Sequence, residues 1–481
     1  MPHVTKFDHS IQESPYAPGK GGKAAVRSNG AAPGVRNASH SLDGSKPIEP
    51  GWSLGFVAIL SYLFVEYTRL PSMYPMLQSI PIAKLLVVLT AVGLLTSARP
   101  QSDQRRSSSS GSLDFAILAF LVACILSALF SGLSNIDSLV GMITWAVVYF
   151  LISRTLTGPW RLRIFIFLLL LLCLKLSQFE IRDYVTQQAF GRSAEFLDKH
   201  GVGAGSSDFF GNGEDFGVAM CVVWPLAGSL LFGERKKLPK LFLLVCFVSF
   251  LVSIFLCGSR GAILGAAAAA MTLWATNPKR IVGAAMVLFF VLGTFYVLPG
   301  AAGDRLRSAL HPDQDETAQM RLSLWGAGIH MFEDHPLFGV GIGNFSPSYL
   351  NDYNGETLTP TVFAPHSIYI QALSETGIVG TLPLLLIWFF FLRVNSRTRK
   401  HLKTLGLAHR KSFEYRVSVG LDLAFVGYMV SGAFITVLYY PHLWYLLGLN
   451  VALHNICLRK QPEIAPAESR VPLKRFALAA R

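Results

Sequence analysis

The sequence predicts an all-α integral membrane fold of about twelve transmembrane helices, and three observations carry that expectation. Apolar runs long enough to cross about 30 Å of hydrocarbon recur along most of the chain. The composition is 52% hydrophobic and only 15% charged, outside the usual range of a soluble domain of 481 residues. Lys and Arg alternate between dense and sparse from one connecting segment to the next.

Residues 1–50 are rich in Gly, Ser, Pro and Lys and contain no apolar h-region, which predicts a disordered basic cytoplasmic tail and no signal peptide. The polytopic membrane domain covers 51–458, with predicted spans at 51–68, 80–97, 113–131, 138–153, 164–179, 216–232, 241–257, 261–276, 281–299, 367–392, 417–437 and 443–458. The nearly continuous run from 241 to 276 divides at Gly258-Ser259-Arg260-Gly261, because two glycines beside a charge suit a tight turn. A second basic tail, also cytoplasmic, occupies 459–481.

With alternating sides, the segments on the side of the tails hold 32 Lys and Arg and those on the opposite side hold eight. That bias places both termini in the cytoplasm. Two outer segments exceed a turn, at about 180–215 and, between the ninth and tenth spans, at about 300–366. The second carries an amphipathic helix from Arg321 to His335, suited to lie on the bilayer surface or roof a cavity. Pro336-Leu-Phe-Gly339-Val-Gly341-Ile-Gly343-Asn344-Phe345 follows it.

The net charge of +13 does not point to nucleic acid, because it is scattered in short clusters between apolar runs and not gathered on one face. The six cysteines lie within or beside apolar segments without a C-x-x-C pair, which argues against a disulfide framework or a zinc site. His330, Glu333, Asp334 and His335 match no zincin spacing, and the glycines at 339, 341 and 343 follow no strand, so neither a metal nor a nucleotide is expected there.

Three residues fit charge and proton chemistry. Arg260 stands at an outer helix end, where the charge rule disfavours a cation; a snorkelling headgroup contact is the plain explanation and a phosphate site the sharper one. Arg321 opens the loop helix near Asp313, Asp315 and Glu316, so a local ion pair competes with anion binding. His366 opens the tenth span, where an interfacial role competes with proton acceptance.

The ordered set Gly-Ser-Arg260-Gly, Arg321-x-x-x-Trp325, Pro336-Leu-Phe-Gly-Val-Gly-x-Gly-Asn344 and His366-x10-Gly377 resembles the O-antigen ligase and polymerase superfamily. The likeness covers about 210–395, and Trp325 departs from the ligase pattern Arg-x3-Leu. The resemblance implies a glycosyltransferase of the GT-C type in the bacterial inner membrane, with its active site on the periplasmic face. Its donor would be an undecaprenyl-diphosphate-linked glycan, and its acceptor lipid A-core or another lipid-linked glycan, with no cofactor and no metal. Carried onto this chain, Arg260 and Arg321 would bind the diphosphate and His366 would activate or orient the acceptor hydroxyl. Glu214, Asp215, Tyr369 and Gln371 would contact the acceptor. A transporter or flippase of lipid-linked glycan is the competing class; it would carry ionisable groups at mid-membrane depth, where Lys84, Lys175 and Asp422 stand without an evident pair.

Overall fold

The computed structural model describes residues 51–70, 74–96, 108–132, 134–189, 213–276, 316–353, 363–406 and 412–460, with isolated positions 285 and 288. The predicted span at 281–299, the tail at 1–50, nearly all of the tail at 459–481 and parts of both long outer loops lie outside the described residues.

Twelve helices of more than one turn build the described part: α1 (Leu54–Thr68), α2 (Ile82–Thr96), α3 (Ser108–Phe130), α4 (Ile136–Thr155), α5 (Pro159–Ala189), α6 (Gly213–Leu231), α7 (Lys237–Leu256), α8 (Arg260–Thr276), α9 (Glu316–Asp334), α10 (Ile368–Thr404), α11 (Phe413–Gly432) and α12 (Pro441–Leu458). No strand occurs among the described residues. Six helices (α3 to α7 and α10) are long and apolar enough to cross a membrane, while α1 and α2 are apolar but shorter. The chain is therefore an all-helical, multi-pass membrane protein.

Helices α11 and α12 fall outside that set for a physical reason. Almost every residue of α12 is buried, including His442, Asn450 and His454, so its surroundings are protein and not lipid. Asn450 donates to the Phe391 carbonyl at 2.8 Å, and His454 Nδ1 pairs with Thr398 Oγ1 at 2.8 Å. On α11, Asp422 forms an ion pair with Arg399 of α10 and accepts from Asn395. This corrects the expectation that Asp422 has no evident pair: its partner lies on a neighbouring helix, out of reach of a reading along one segment. The predicted division of the 241–276 run is found, with α7 ending at Leu256 and α8 beginning at Arg260. Helix α5 runs ten residues beyond the predicted span, through the good helix formers Glu180, Arg182 and Gln187 to Ala189.

The core is one continuous cluster in which α6 packs on α7 and α11, α11 also packs on α8, and α3 packs on α10. A smaller cluster, Leu324, Ala327, Met331, Phe345 and Tyr349, seats α9 on the loop that follows it.

The tenth predicted span is not one rod. Gly377 takes φ 58° and ψ −160°, which breaks α10 into a short limb, 368–376, and a long limb, 378–404. The Tyr369 and Trp388 ring centroids are 5.5 Å apart. Nineteen residues of straight helix would separate their Cα atoms by about 28 Å, so the limbs fold back toward each other. The break leaves backbone groups without helical partners, a costly state at membrane depth. Residues 336–345 supply them: Val340 and Gly341 donate N–H to the Ser374 and Glu375 carbonyls at 2.9 and 3.1 Å, and Ile378 and Val379 donate to the Pro336 and Leu337 carbonyls at 2.9 and 3.1 Å. Gly339, Gly341 and Gly343 all have positive φ, and a Cβ on any of them would come within 2.4 Å of a neighbouring atom. Gly339 thus serves close approach to the backbone of the broken helix, while Gly341 and Gly343 close on Ser131 and Ser138 at the α3–α4 junction.

Candidate functional site

The polar site gathers where α6 begins, α10 begins and α9 crosses. Glu214 is the second residue of α6, in a first turn whose unpaired N–H groups favour acidic side chains. Its Oε1 accepts from Arg321 NH2 at 2.5 Å, and its Oε2 stands 3.5 Å from His366 Nδ1. These three side chains are 30%, 16% and 27% exposed, so the cluster is half-buried and open to a ligand. Arg321 Nε is buried without a hydrogen-bond partner among the described residues.

The described part of α9 begins at Glu316, so Arg321 lies within the helix and not at its first residue. The macrodipole opposition expected at a helix start is weaker there. Asp313 and Asp315 lie outside the described residues, and the described partner of Arg321 is Glu214. Gly328 lets α9 sit on the short limb of α10, because a Cβ there would lie 2.4 Å from Ile370.

His366 stands two residues before α10 with φ 44°, a left-handed conformation rare outside glycine and asparagine. Two contacts hold it. Trp325 Nε1 donates to the Pro365 carbonyl at 2.9 Å, and the Ser367 hydroxyl accepts from the Ile370 N–H at the start of the helix. Trp325, the residue that departs from the ligase pattern, therefore braces the histidine from α9. A carboxylate only accepts, so a neutral His366 that faces Glu214 through Nδ1 carries its proton there and has Nε2 as its acceptor.

Asp215, 4% exposed, accepts from Tyr440 Oη at 2.7 Å. Burial, and then the Asp215 carboxylate, push the Tyr440 hydroxyl up, so it remains a donor. Arg260 opens α8 on a tight turn after Gly258, where φ is 67°. Gly217 admits Cys257 and Ala262 of this turn, whose atoms would lie 2.7 and 2.8 Å from a Cβ there. Gly261 seats against Phe434, and the Phe434 ring lies 6.4 Å from that of Trp325. Arg260 thus stands at the same end of the bundle as Glu214 and Trp325.

The structure brings Arg321, His366 and Glu214 into contact, with Asp215 beside them. Tyr369 and Gln371 have other partners. The Tyr369 hydroxyl donates to the Met429 carbonyl at 3.0 Å near the end of α11, and buried Gln371 donates to Glu375 at 3.5 Å. Tyr440 is missing from the sequence reading; it follows another tyrosine in a short connector, and nothing local marks it as a partner of Asp215.

Residues 245–385, less than a third of the chain, match the family model described as O-antigen ligase. No curated protein matches the chain. The resemblance to the O-antigen ligase and polymerase superfamily is borne out over that segment, and the activity class it carries is a membrane ligase or polymerase of polysaccharide assembly. The segment includes Arg260, Arg321 and His366, while Glu214, Asp215 and Tyr440 come from beyond its ends.

Proposed function

We propose that this chain is a twelve-span bacterial inner-membrane glycosyltransferase of the GT-C type that moves a glycan from undecaprenyl diphosphate to an acceptor hydroxyl on the periplasmic face. It acts as an O-antigen ligase or as a surface-polysaccharide polymerase, without a metal. The observation that carries this reading is Glu214 held between Arg321 and His366 within a protein whose 245–385 segment matches the O-antigen ligase family.

In the reaction, the acceptor oxygen attacks the anomeric carbon of the donor and the bond from that carbon to phosphate breaks. His366 Nε2 takes the hydroxyl proton, and Glu214 fixes the tautomer and stabilises the imidazolium that forms. Negative charge builds on the departing undecaprenyl diphosphate. Arg321 and Arg260 offset that charge through their guanidinium groups, aided by the N-terminal end of the short limb of α10. Asp215 orients the acceptor, which is lipid A-core for a ligase or a second lipid-linked glycan for a polymerase. The polyprenyl tail reaches the site sideways from lipid, which accounts for charged groups at helix ends.

The test is release of undecaprenyl diphosphate by the purified protein given donor and acceptor. Transport of lipid-linked glycan across liposomes without that release would replace the proposal by the flippase reading.

A further inference from the structure

Glu375 lies two residues before the break in α10 and is 3% exposed. Its carboxylate accepts from the Tyr439 hydroxyl at 2.5 Å, the Phe345 N–H at 3.4 Å and Gln371 Nε2 at 3.5 Å, and from the Gly343 backbone. Its carbonyl accepts from Ser127 Oγ at 2.7 Å and from the Gly341 N–H at 3.1 Å. One buried residue therefore ties together α3, the 336–345 loop, the connector between α11 and α12 and the short limb of α10.

Each tied element carries part of the proposed site. The loop continues from α9, which bears Arg321 and Trp325; the short limb begins just after His366; the connector holds Tyr440, next to Tyr439, on Asp215. Adjacent tyrosines thus engage two carboxylates, one inside the site and one beneath it. The Phe345 and Gly343 N–H groups and Gln371 Nε2 can only donate, and they meet both carboxylate oxygens, whereas an amide would turn an N–H group toward one set of them.

We infer that Glu375 is a positioning residue that sets Arg321 and His366 in register on Glu214. It touches no substrate and acts through the loop and the short limb. This inference rests on the transferase reading for its consequence in turnover, but the linkage itself can be read without any activity.

The experiment compares full-length wild type with Glu375→Gln and with the milder Tyr439→Phe in lipid nanodiscs. It measures kcat and KM for the undecaprenyl-diphosphate glycan, together with backbone hydrogen exchange over 321–345 and 366–376. For Glu375→Gln, kcat falls at least tenfold with KM for the donor changed less than threefold, and exchange of the Val340, Gly341 and Phe345 amides rises at least tenfold. Tyr439→Phe shifts both in the same direction by a smaller factor. Raised exchange with unchanged kcat in both variants would overturn the positioning role, as would unchanged exchange in the loop. If the wild type turns over no donor, the transferase reading fails and exchange alone decides the linkage, raised in its favour and unaltered against it. Should Glu375→Gln not fold, Tyr439→Phe carries the same two readouts.

Discussion

Glu214 accepts a hydrogen bond from Arg321 at 2.5 Å although 107 positions separate them in the chain. The pair joins the N-terminal turn of α6 to a helix lying across the bundle end, and the second oxygen of the same carboxylate faces His366. A charge-assisted bond of this kind is shorter and stronger than a neutral one. It also leaves His366 Nε2 for a ligand.

Replacing Glu214 by Gln removes the charge while keeping the shape. His366 then loses the partner that fixes its proton on Nδ1, and kcat for glycan transfer falls about 100-fold or more. Steady-state turnover at matched expression and folding checks this; activity within threefold of wild type would remove Glu214 from the mechanism.

Trp325→Phe keeps an aromatic ring against Phe434 but loses the bond to the Pro365 carbonyl. His366 holds φ 44° partly through that bond, so transfer slows about fivefold, in line with the loss of one hydrogen bond of about 1 kcal/mol. Equal rates for the Trp and Phe proteins would mean that Trp325 is packing alone.

Gly377→Ala places a Cβ 2.5 Å from the Leu337 carbonyl group in a conformation with φ 58°. The strain costs about 1–3 kcal/mol before any lost hydrogen bond is counted. The apparent Tm in detergent drops by several degrees, measured by a thermal shift of the purified protein. An unchanged Tm would show that the break in α10 is not held as described.

Asp422→Asn weakens the pair with Arg399, whose side chains are 28% and 23% exposed. Solvent screening at that exposure limits the cost to about 1 kcal/mol. Under the transferase reading Tm falls slightly while kcat is unchanged; abolished glycan movement with an intact site would favour the transporter instead.

The described cysteines are buried, so single-cysteine reporters can be read against the native chain. Glu333→Cys, on the exposed face of α9, is expected to react with an impermeant maleimide from the periplasm, and Lys403→Cys only from the cytoplasm. Labelling of both from one side would break the predicted topology.

The helices were legible because lipid demands apolar length, and the turn at Gly258 was legible because two glycines flank a charge inside an apolar run. The break at Gly377 was not. A glycine in a membrane helix is ordinary, and this one opens only because residues 336–345, some forty positions earlier, supply partners to the freed backbone. Arg321, Arg260 and His366 were legible as ions in unfavourable places, with the ordered motif set to link them. The bridging role of Glu214 and the Tyr440–Asp215 bond depend on contacts between helices far apart in sequence, and periodicity carries no record of them.

The central claim is that Arg321, His366 and Glu214 form one catalytic unit acting on a diphosphate-linked glycan. Its most direct test is transfer from undecaprenyl-diphosphate glycan by wild type, Arg321→Ala, His366→Ala, Glu214→Gln and the double variant Glu214→Gln/His366→Ala, all shown to be folded. The account predicts that each single change costs at least about 100-fold and that the double variant is no slower than His366→Ala alone, because residues acting as a unit are not additive. Single variants that keep wild-type turnover, or losses that multiply in the double variant, would contradict it.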